Sequence, residues 1–182
     1  MIKWTQGCTS LRHFLHLFSN KMSAATLGSW NVLGTAGSVC IHTVLLPNNH
    51  LLCVERPKET PYPPNPYTQG QTVVDINLYG DKDANGKPKP TWEVRPYPVN
   101  PFCGGHSMLP NGSILIVGGD QKTLPEYNLR DGTKGMRMYN PCTAPDCKAG
   151  SWTTLPDMEK GRWYPTVVTI ADGSYVFSYI DS

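Results

Sequence analysis

A repeat of about 61 residues constrains the fold of this chain more than any other feature of the sequence. Each repeat carries a tryptophan, and the three are Trp30, Trp92 and Trp152, at steps of 62 and 60 residues. A turn follows each tryptophan, beginning at Pro47, Pro110 and Ala171, at steps of 63 and 61 residues. Matched anchors at near-constant spacing indicate an array of similar supersecondary units.

Each unit has the pattern of a β-hairpin extended by further strands. The turns Pro47-Asn-Asn-His, Pro110-Asn-Gly-Ser and Ala171-Asp-Gly-Ser all lie between apolar runs. Asn-Gly and Asp-Gly between such runs are strong hairpin signals. A third strand and a short strand bearing the next tryptophan complete a unit. We therefore predict four-stranded antiparallel sheets over 42–95 and 103–154 and a lone hairpin over 163–178.

The fold class that this pattern predicts is all-β. Glycine and proline number 17 each in 182 residues, which is well above average usage and typical of a turn-rich chain. The pair Gly118-Gly119 after a second strand, with a later aromatic residue and tryptophan, is typical of a kelch-type blade. We interpret the chain as a partial kelch-type β-propeller of about two and a half four-stranded blades. Because propellers have at least about four blades, it is interpreted as a fragment; the alternative is a complete small β-sandwich.

Residues 1–27 differ from the rest and are assigned as a leader or weak signal peptide, with 28–182 as the incomplete propeller. Lys3, a short apolar patch over 11–18 and small residues at 23–25 follow the order of a secretory signal. Polar residues interrupt the patch, so an amphipathic helix and a start at Met22 are alternatives.

The net charge, the cysteines and a glycosylation sequon indicate which partners are excluded and in which compartment the protein is expected. The net charge of +2 disfavours a nucleic-acid partner, and no apolar run is long enough for a membrane span. Cys142 and Cys147, with a proline between them, suit a small disulfide loop in an oxidising compartment; two free thiols are the alternative. Asn111-Gly-Ser is a glycosylation sequon, or simply a tight turn. We expect a secreted, extracellular protein.

One register position is shared by three residues with reactive side chains. Cys40, Cys103 and Tyr164 each lie seven residues before the turn of their unit. This register places them at the start of the first strand of successive blades. Neighbouring blades would then bring Cys103 and Tyr164 side by side.

The sequences around these residues resemble a known family. Phe102-Cys-Gly-Gly-His-Ser-Met-Leu-Pro-Asn-Gly and Gly161-Arg-Trp-Tyr-Pro-Thr-Val are similar to the first two active-site motifs of the copper radical oxidases, in the glyoxal oxidase branch rather than galactose oxidase. The resemblance covers about 28–178, and both motifs are in the right order, one blade apart.

The resemblance implies a site and a reaction. Cys103 would be joined by a thioether to the ring carbon ortho to the Tyr164 hydroxyl, and Tyr164 would ligate copper and hold a tyrosyl radical. Arg162 and Trp163 would shield and position that radical; the alternatives are a salt bridge for Arg162 and blade packing for Trp163. The implied activity is oxidation of a small aldehyde or primary alcohol by O2, which yields hydrogen peroxide.

The sequence departs from the family in the remaining ligands. The axial tyrosine beside a histidine and the later histidine have no counterpart in this sequence, so we expect the chain alone, without the remaining blades, to be inactive and poorly soluble. The alternative function is a non-catalytic kelch-type module that binds carbohydrate or protein. Among the other candidates, His106, three residues from Cys103, is expected to serve packing or face solvent. His42 is expected to be structural, Cys40 a buried thiol, and the three tryptophans core residues.

Overall fold

The computed structural model describes residues 28, 32–33, 40–54, 73–125, 128–144 and 147–178. The fold lies in one compact unit within Leu33–Ser182, and the predicted leader and Trp30 lie outside the described residues. The described part contains ten strands and no α-helix. They are β1 His42–Leu45, β2 His50–Val54, β3 Val73–Lys82, β4 Pro88–Val94, β5 Gly105–Met108, β6 Ile114–Val117, β7 Met136–Asn140, β8 Ser151–Thr154, β9 Thr166–Thr169 and β10 Tyr175–Ser178.

The strands form two four-stranded sheets and one hairpin, in chain order. The first sheet has the order β1-β2-β3-β4, the second β5-β6-β7-β8, and β9 pairs with β10. All of these pairs are antiparallel, for example Val44 opposite Leu52 in the first sheet and Leu115 opposite Ser107 in the second. The predicted all-β class, the two sheets and the hairpin are confirmed. The described sheets do not close on themselves, so the propeller stays a prediction.

The three hairpin turns have the same geometry, which explains the repeat in the sequence. Each has its left-handed residue at the same place, with φ of 63° at Asn49, 81° at Gly112 and 84° at Gly173. In each turn two backbone hydrogen bonds close the loop, such as Leu109 N to Ser113 O at 2.8 Å. Asparagine and glycine adopt this conformation at the least cost, which is why they recur at this turn position.

Two apolar layers stack the sheets face to face. One joins the first two sheets and contains Leu52, Val73, Ile114 and Ile116, with Trp152 packed against it. The other joins the second sheet to the hairpin. Since alternate side chains of a strand point to opposite faces, β6 contributes Ile114 and Ile116 to one layer and Leu115 and Val117 to the other. This double burial explains why the β6 sequence is apolar throughout.

The two repeat tryptophans that the structure describes, Trp92 and Trp152, are partly buried and pack against core clusters, in line with the predicted core role. The Trp152 ring lies 4.9 Å from the Tyr139 ring and 4.8 Å from the Tyr97 ring, centroid to centroid. Its indole N–H donates to Arg95 O at 3.3 Å. Trp92 packs against the buried cluster of Cys53, Val74 and Ile76.

A buried polar network, which the sequence analysis did not identify, also links the first two sheets. Asp75 on β3 is fully buried and contacts His50 Nδ1 at 2.6 Å. The Tyr139 hydroxyl of β7 donates to Asp75 Oδ2, and Gly150 N donates to the same oxygen at 3.1 Å. Burial, and then the hydrogen bond to Asp75, raise the pKa of Tyr139 above its ordinary value. This carboxylate therefore connects β2, β7 and the start of β8.

The cysteines form two disulfides in the described part of the chain. Cys142 and Cys147 are bridged, with their Cα atoms 6.0 Å apart. Cys40 and Cys53 are also bridged, at a Cα separation of 5.0 Å, so the expectation of a free buried thiol at Cys40 is wrong. The reason is the β1–β2 register, in which Thr43 pairs with Cys53 and brings Cys53 near the residues that precede β1.

Among the described residues, no helix has the length and apolar character needed to cross a membrane.

Candidate active site

The structure brings together the two residues that the register predicted to be neighbours. Tyr164 N donates a hydrogen bond to Cys103 O at 3.1 Å. The prediction that they lie at the start of a strand is wrong, because each precedes its strand by two residues: β5 begins at Gly105 and β9 at Thr166. They lie instead in matched turns at the entrance of consecutive sheets.

Both residues have a left-handed backbone, which is uncommon for their types. Cys103 has φ of 58° and Tyr164 has φ of 53°; the other described non-glycine residues with positive φ are Asn49 and Asn128. Asparagine adopts this region readily, whereas a tyrosine or cysteine there costs about 1–2 kcal/mol. Such strain is concentrated at functional sites, so the matched strain at these two positions marks a candidate site.

A glycine pair and a buried arginine hold the Tyr164 segment in place. Gly119 N donates to Arg162 O at 3.2 Å, and a Cβ atom on Gly118 would lie only 2.5 Å from that same oxygen. Arg137, which is fully buried, donates from Nη2 to Gly118 O at 2.6 Å. Burial lowers the pKa of Arg137 to about 10, so its guanidinium is still charged at neutral pH. The glycine pair therefore allows the backbone of Arg162 to approach closely.

The side chains of the site differ sharply in exposure. Cys103 is buried at 3% relative exposure and is a free thiol, whereas Tyr164 is 67% exposed and Trp163 is 57% exposed. The Trp163 and Tyr164 rings lie 5.3 Å apart at an interplanar angle of 31°. Trp163 therefore covers part of the Tyr164 ring, and its exposure argues against the alternative of blade packing. The Arg162 guanidinium lies 5.3 Å from the centre of the Phe177 ring.

The described residues do not gather a set of metal ligands. No group of three or more His, Cys, Asp or Glu side chains is gathered to hold a metal ion in the part of the chain that the structure describes. The resemblance assigns one oxygen ligand to the exposed phenol of Tyr164 and the thioether to the buried free thiol of Cys103. A copper site also needs imidazole or similar donors, which the described residues do not gather into such a group.

Two histidines that the sequence analysis treated separately lie in ring contact. His42 and His106 have ring centroids 5.2 Å apart at an interplanar angle of 78°. Burial lowers the pKa of both, and the charge of His42 lowers that of His106 further. The signal was present in the sequence, since each histidine follows the shared register position by two or three residues.

The sequon has the geometry of a turn. Asn111 is exposed, and its Oδ1 accepts a hydrogen bond from Ser113 N at 3.0 Å. The Ser113 hydroxyl donates to Asn140 Oδ1 at 3.0 Å. Turn chemistry therefore accounts for this tripeptide, and glycosylation of Asn111 stays a prediction.

Sequence comparison identifies relatives among oxidases. No protein-family model matches the chain. The chain is 29% identical over 164 residues to the aldehyde oxidase GLOX of Vitis pseudoreticulata, an alignment that covers 82% of this chain and 28% of that protein. It is also 32% identical over 129 residues to a WSC domain-containing protein of Arthroderma benhamiae, covering 57% of this chain and 13% of that protein.

Structure comparison gives a consistent result. The chain superimposes on a fungal alcohol oxidase of the AA5 family, solved in complex with copper, with a TM-score of 0.51 and 16% identity, over 81% of this chain and 27% of the other. The fold is similar to that of this alcohol oxidase, and the sequence is similar to that of the aldehyde oxidase. The resemblance to the glyoxal oxidase type of these enzymes is confirmed. The chain spans about a quarter of the length of each of these two oxidases.

Proposed function

We propose that this chain is the amino-terminal part of a secreted copper radical oxidase that oxidises small aldehydes or primary alcohols with O2 and releases hydrogen peroxide. The observation that carries the proposal is the hydrogen bond from Tyr164 N to Cys103 O at 3.1 Å, made between two residues with matched left-handed backbones. A kelch-type module without catalysis gives no reason to strain a cysteine and a tyrosine at this position.

In this proposal Cys103 and Tyr164 become one cofactor. The Cys103 S–H and one ring C–H of Tyr164 are lost, a C–S bond forms, and the two electrons and two protons reduce O2 to hydrogen peroxide. Sulfur donates electron density to the ring, which makes one-electron oxidation of the phenol easier. A copper ion held by the Tyr164 oxygen would supply the second one-electron centre and favour the ionised phenol.

The surrounding residues have defined supporting roles. Trp163 restricts solvent at the Tyr164 ring, since their centroids are 5.3 Å apart. Gly119 holds the backbone of Arg162, two residues before Tyr164, through its hydrogen bond to Arg162 O. The remaining ligands would come from further blades of the same propeller, in line with the 28% of the relative's length that the alignment covers.

A secreted location is part of the proposal. Two disulfides, Cys40–Cys53 and Cys142–Cys147, support it because such bonds persist in oxidising compartments. The leader over 1–27 would direct export.

The test has two arms that use copper, O2 and a small aldehyde, with hydrogen peroxide release as the readout. Residues 1–182 alone are expected to release none. A transcript whose reading frame continues past Ser182 is expected to add a Tyr-His pair and a later histidine, and its product to release peroxide. Tyr164→Phe should abolish that release, whereas Tyr79→Phe, an exposed tyrosine of β3, should leave it unchanged. Peroxide release that survives Tyr164→Phe would contradict the proposal and favour the binding module.

A further inference from the structure

We propose that His42 and His106 form a binding site for a divalent first-row transition metal ion, with one imidazole nitrogen from each residue and water in the remaining positions. The proposal does not depend on the proposed oxidase activity.

The topology places the two imidazoles at the same point of consecutive sheets. His42 is the first residue of β1 and pairs with Val54, and His106 is the second residue of β5 and pairs with Ile116. Because β1 and β5 are the first strands of sheets packed face to face, their rings meet at a centroid distance of 5.2 Å. Both histidines lie in paired strands, so the packing of the two sheets determines the distance between their rings.

One of the two rings has an unsatisfied nitrogen. His42 Nε2 is buried and has no hydrogen-bond partner. A buried polar atom without a partner costs about 1–3 kcal/mol, and such atoms in a native structure call for an explanation, an ion among them. A metal ion bound at Nε2 would satisfy this lone pair.

The rings are in the protonation state that binds metal. Metal ligation requires the neutral imidazole. Burial lowers the pKa of both side chains, which keeps them neutral at pH 7. No competing proton therefore has to be displaced at neutral pH.

The spacing matches tetrahedral coordination. A metal–nitrogen bond of about 2.0–2.1 Å places the metal roughly 3.2 Å from the ring centroid, and two rings at a tetrahedral angle then have centroids about 5.2 Å apart. The observed separation is 5.2 Å. The rings meet edge to face, so metal binding requires rotation about the broad χ2 torsions of the two histidines to turn one nitrogen of each toward the ion. Imidazole donors suit zinc, copper and nickel, with Cu²⁺ bound more tightly than Zn²⁺.

The experiment titrates Zn²⁺ into the full chain, made without a polyhistidine tag, by calorimetry. Possible donors in the leader are first removed by Cys8→Ser, His13→Asn and His16→Asn. This leader variant is expected to bind one Zn²⁺ per chain. Adding either His42→Phe or His106→Phe should weaken binding at least tenfold, and combining the two should weaken it little further, since either loss breaks the pair. Phenylalanine keeps an aromatic ring in the contact, and a circular dichroism melt checks that each variant folds.

A second measurement avoids substitution of the pair. In the leader variant, Zn²⁺ is expected to slow the modification of His106 by diethyl pyrocarbonate, read by peptide mass mapping. The proposal is overturned if the leader variant binds no Zn²⁺, if both folded phenylalanine variants bind it unchanged, or if Zn²⁺ leaves the modification rate of His106 unaltered.

Discussion

Removing the Tyr139 hydroxyl should weaken the contact between the first two sheets by a measurable amount. Tyr139→Phe deletes the hydrogen bond to the buried carboxylate of Asp75 and the bond of 2.8 Å that Gly150 N donates to the Tyr139 hydroxyl. Bonds to charged groups contribute about 1.5–3 kcal/mol. Gly150 N keeps its bond to Asp75 Oδ2 at 3.1 Å, so no backbone donor is left without a partner. The ring remains and still packs 4.9 Å from Trp152, so no cavity forms. The free energy of unfolding should therefore fall by about 1.5–3 kcal/mol.

The assay is urea unfolding followed by tryptophan fluorescence. Tyr79→Phe is the matched control, because Tyr79 is 63% exposed on β3 of the same sheet and surface changes shift stability by less than about 0.5 kcal/mol. Asp75→Ala should cost more than Tyr139→Phe, since it leaves His50, Tyr139 and Gly150 without their shared acceptor. If Tyr139→Phe falls within about 0.5 kcal/mol of the wild type, the network does not stabilise the sheet contact.

Three further predictions concern the backbone, the histidine pair and a disulfide. Gly118→Ala should cost about 1–3 kcal/mol more than Gly86→Ala, because both glycines have positive φ but only the first has a neighbour in contact; equal losses in urea unfolding would contradict this. Lowered pKa values at His42 and His106 mean that the unfolded chain binds more protons below pH 6.5, so stability should fall on acidification by up to about 1.4 kcal/mol per pH unit per histidine. Phenylalanine at both positions should flatten that profile, and an unchanged slope would count against the buried pair. Cys40→Ser should lower the free energy of unfolding by about 2–4 kcal/mol, and reduction of the wild type, which opens both bridges, should lower it at least as much; an unchanged free energy in Cys40→Ser would contradict this.

The strand plan could be predicted from the sequence because its signals are local. A turn with Asn49, Gly112 or Gly173 in the left-handed region requires asparagine or glycine, and these residues are visible at fixed spacing. The apolar runs on either side then determine which segments pair. The bounds of the sheets and the hairpin differed from the prediction by at most three residues, since β5 begins at Gly105 and β9 at Thr166.

The sequence predicted which residues of the site are neighbours, but not their backbone conformation. Counting back from each turn identified Cys103 and Tyr164 as neighbours, which the backbone bond between them shows. Their strained turns could not be predicted, because neither residue type favours positive φ.

Several side-chain contacts were not predictable from the spacing of the repeat. The Cys40–Cys53 bridge depends on the β1–β2 register. The Asp75 network and the His42–His106 contact depend on how the first two sheets pack together.

The most direct test of the central claim is whether the side chains at positions 103 and 164 can be joined. In Tyr164→Cys, the introduced thiol should form a disulfide with Cys103 under mild oxidation, because bridged residues have Cα atoms about 4.4–6.8 Å apart and these two share a backbone hydrogen bond of 3.1 Å. Peptide mapping without reduction detects the disulfide. Trp163→Cys is the matched control, because Trp163 is the neighbouring residue and its side chain is also exposed. A disulfide to Cys103 is expected in Tyr164→Cys and none in Trp163→Cys. A free Cys103 in both variants would contradict the claim that Cys103 and Tyr164 form one site.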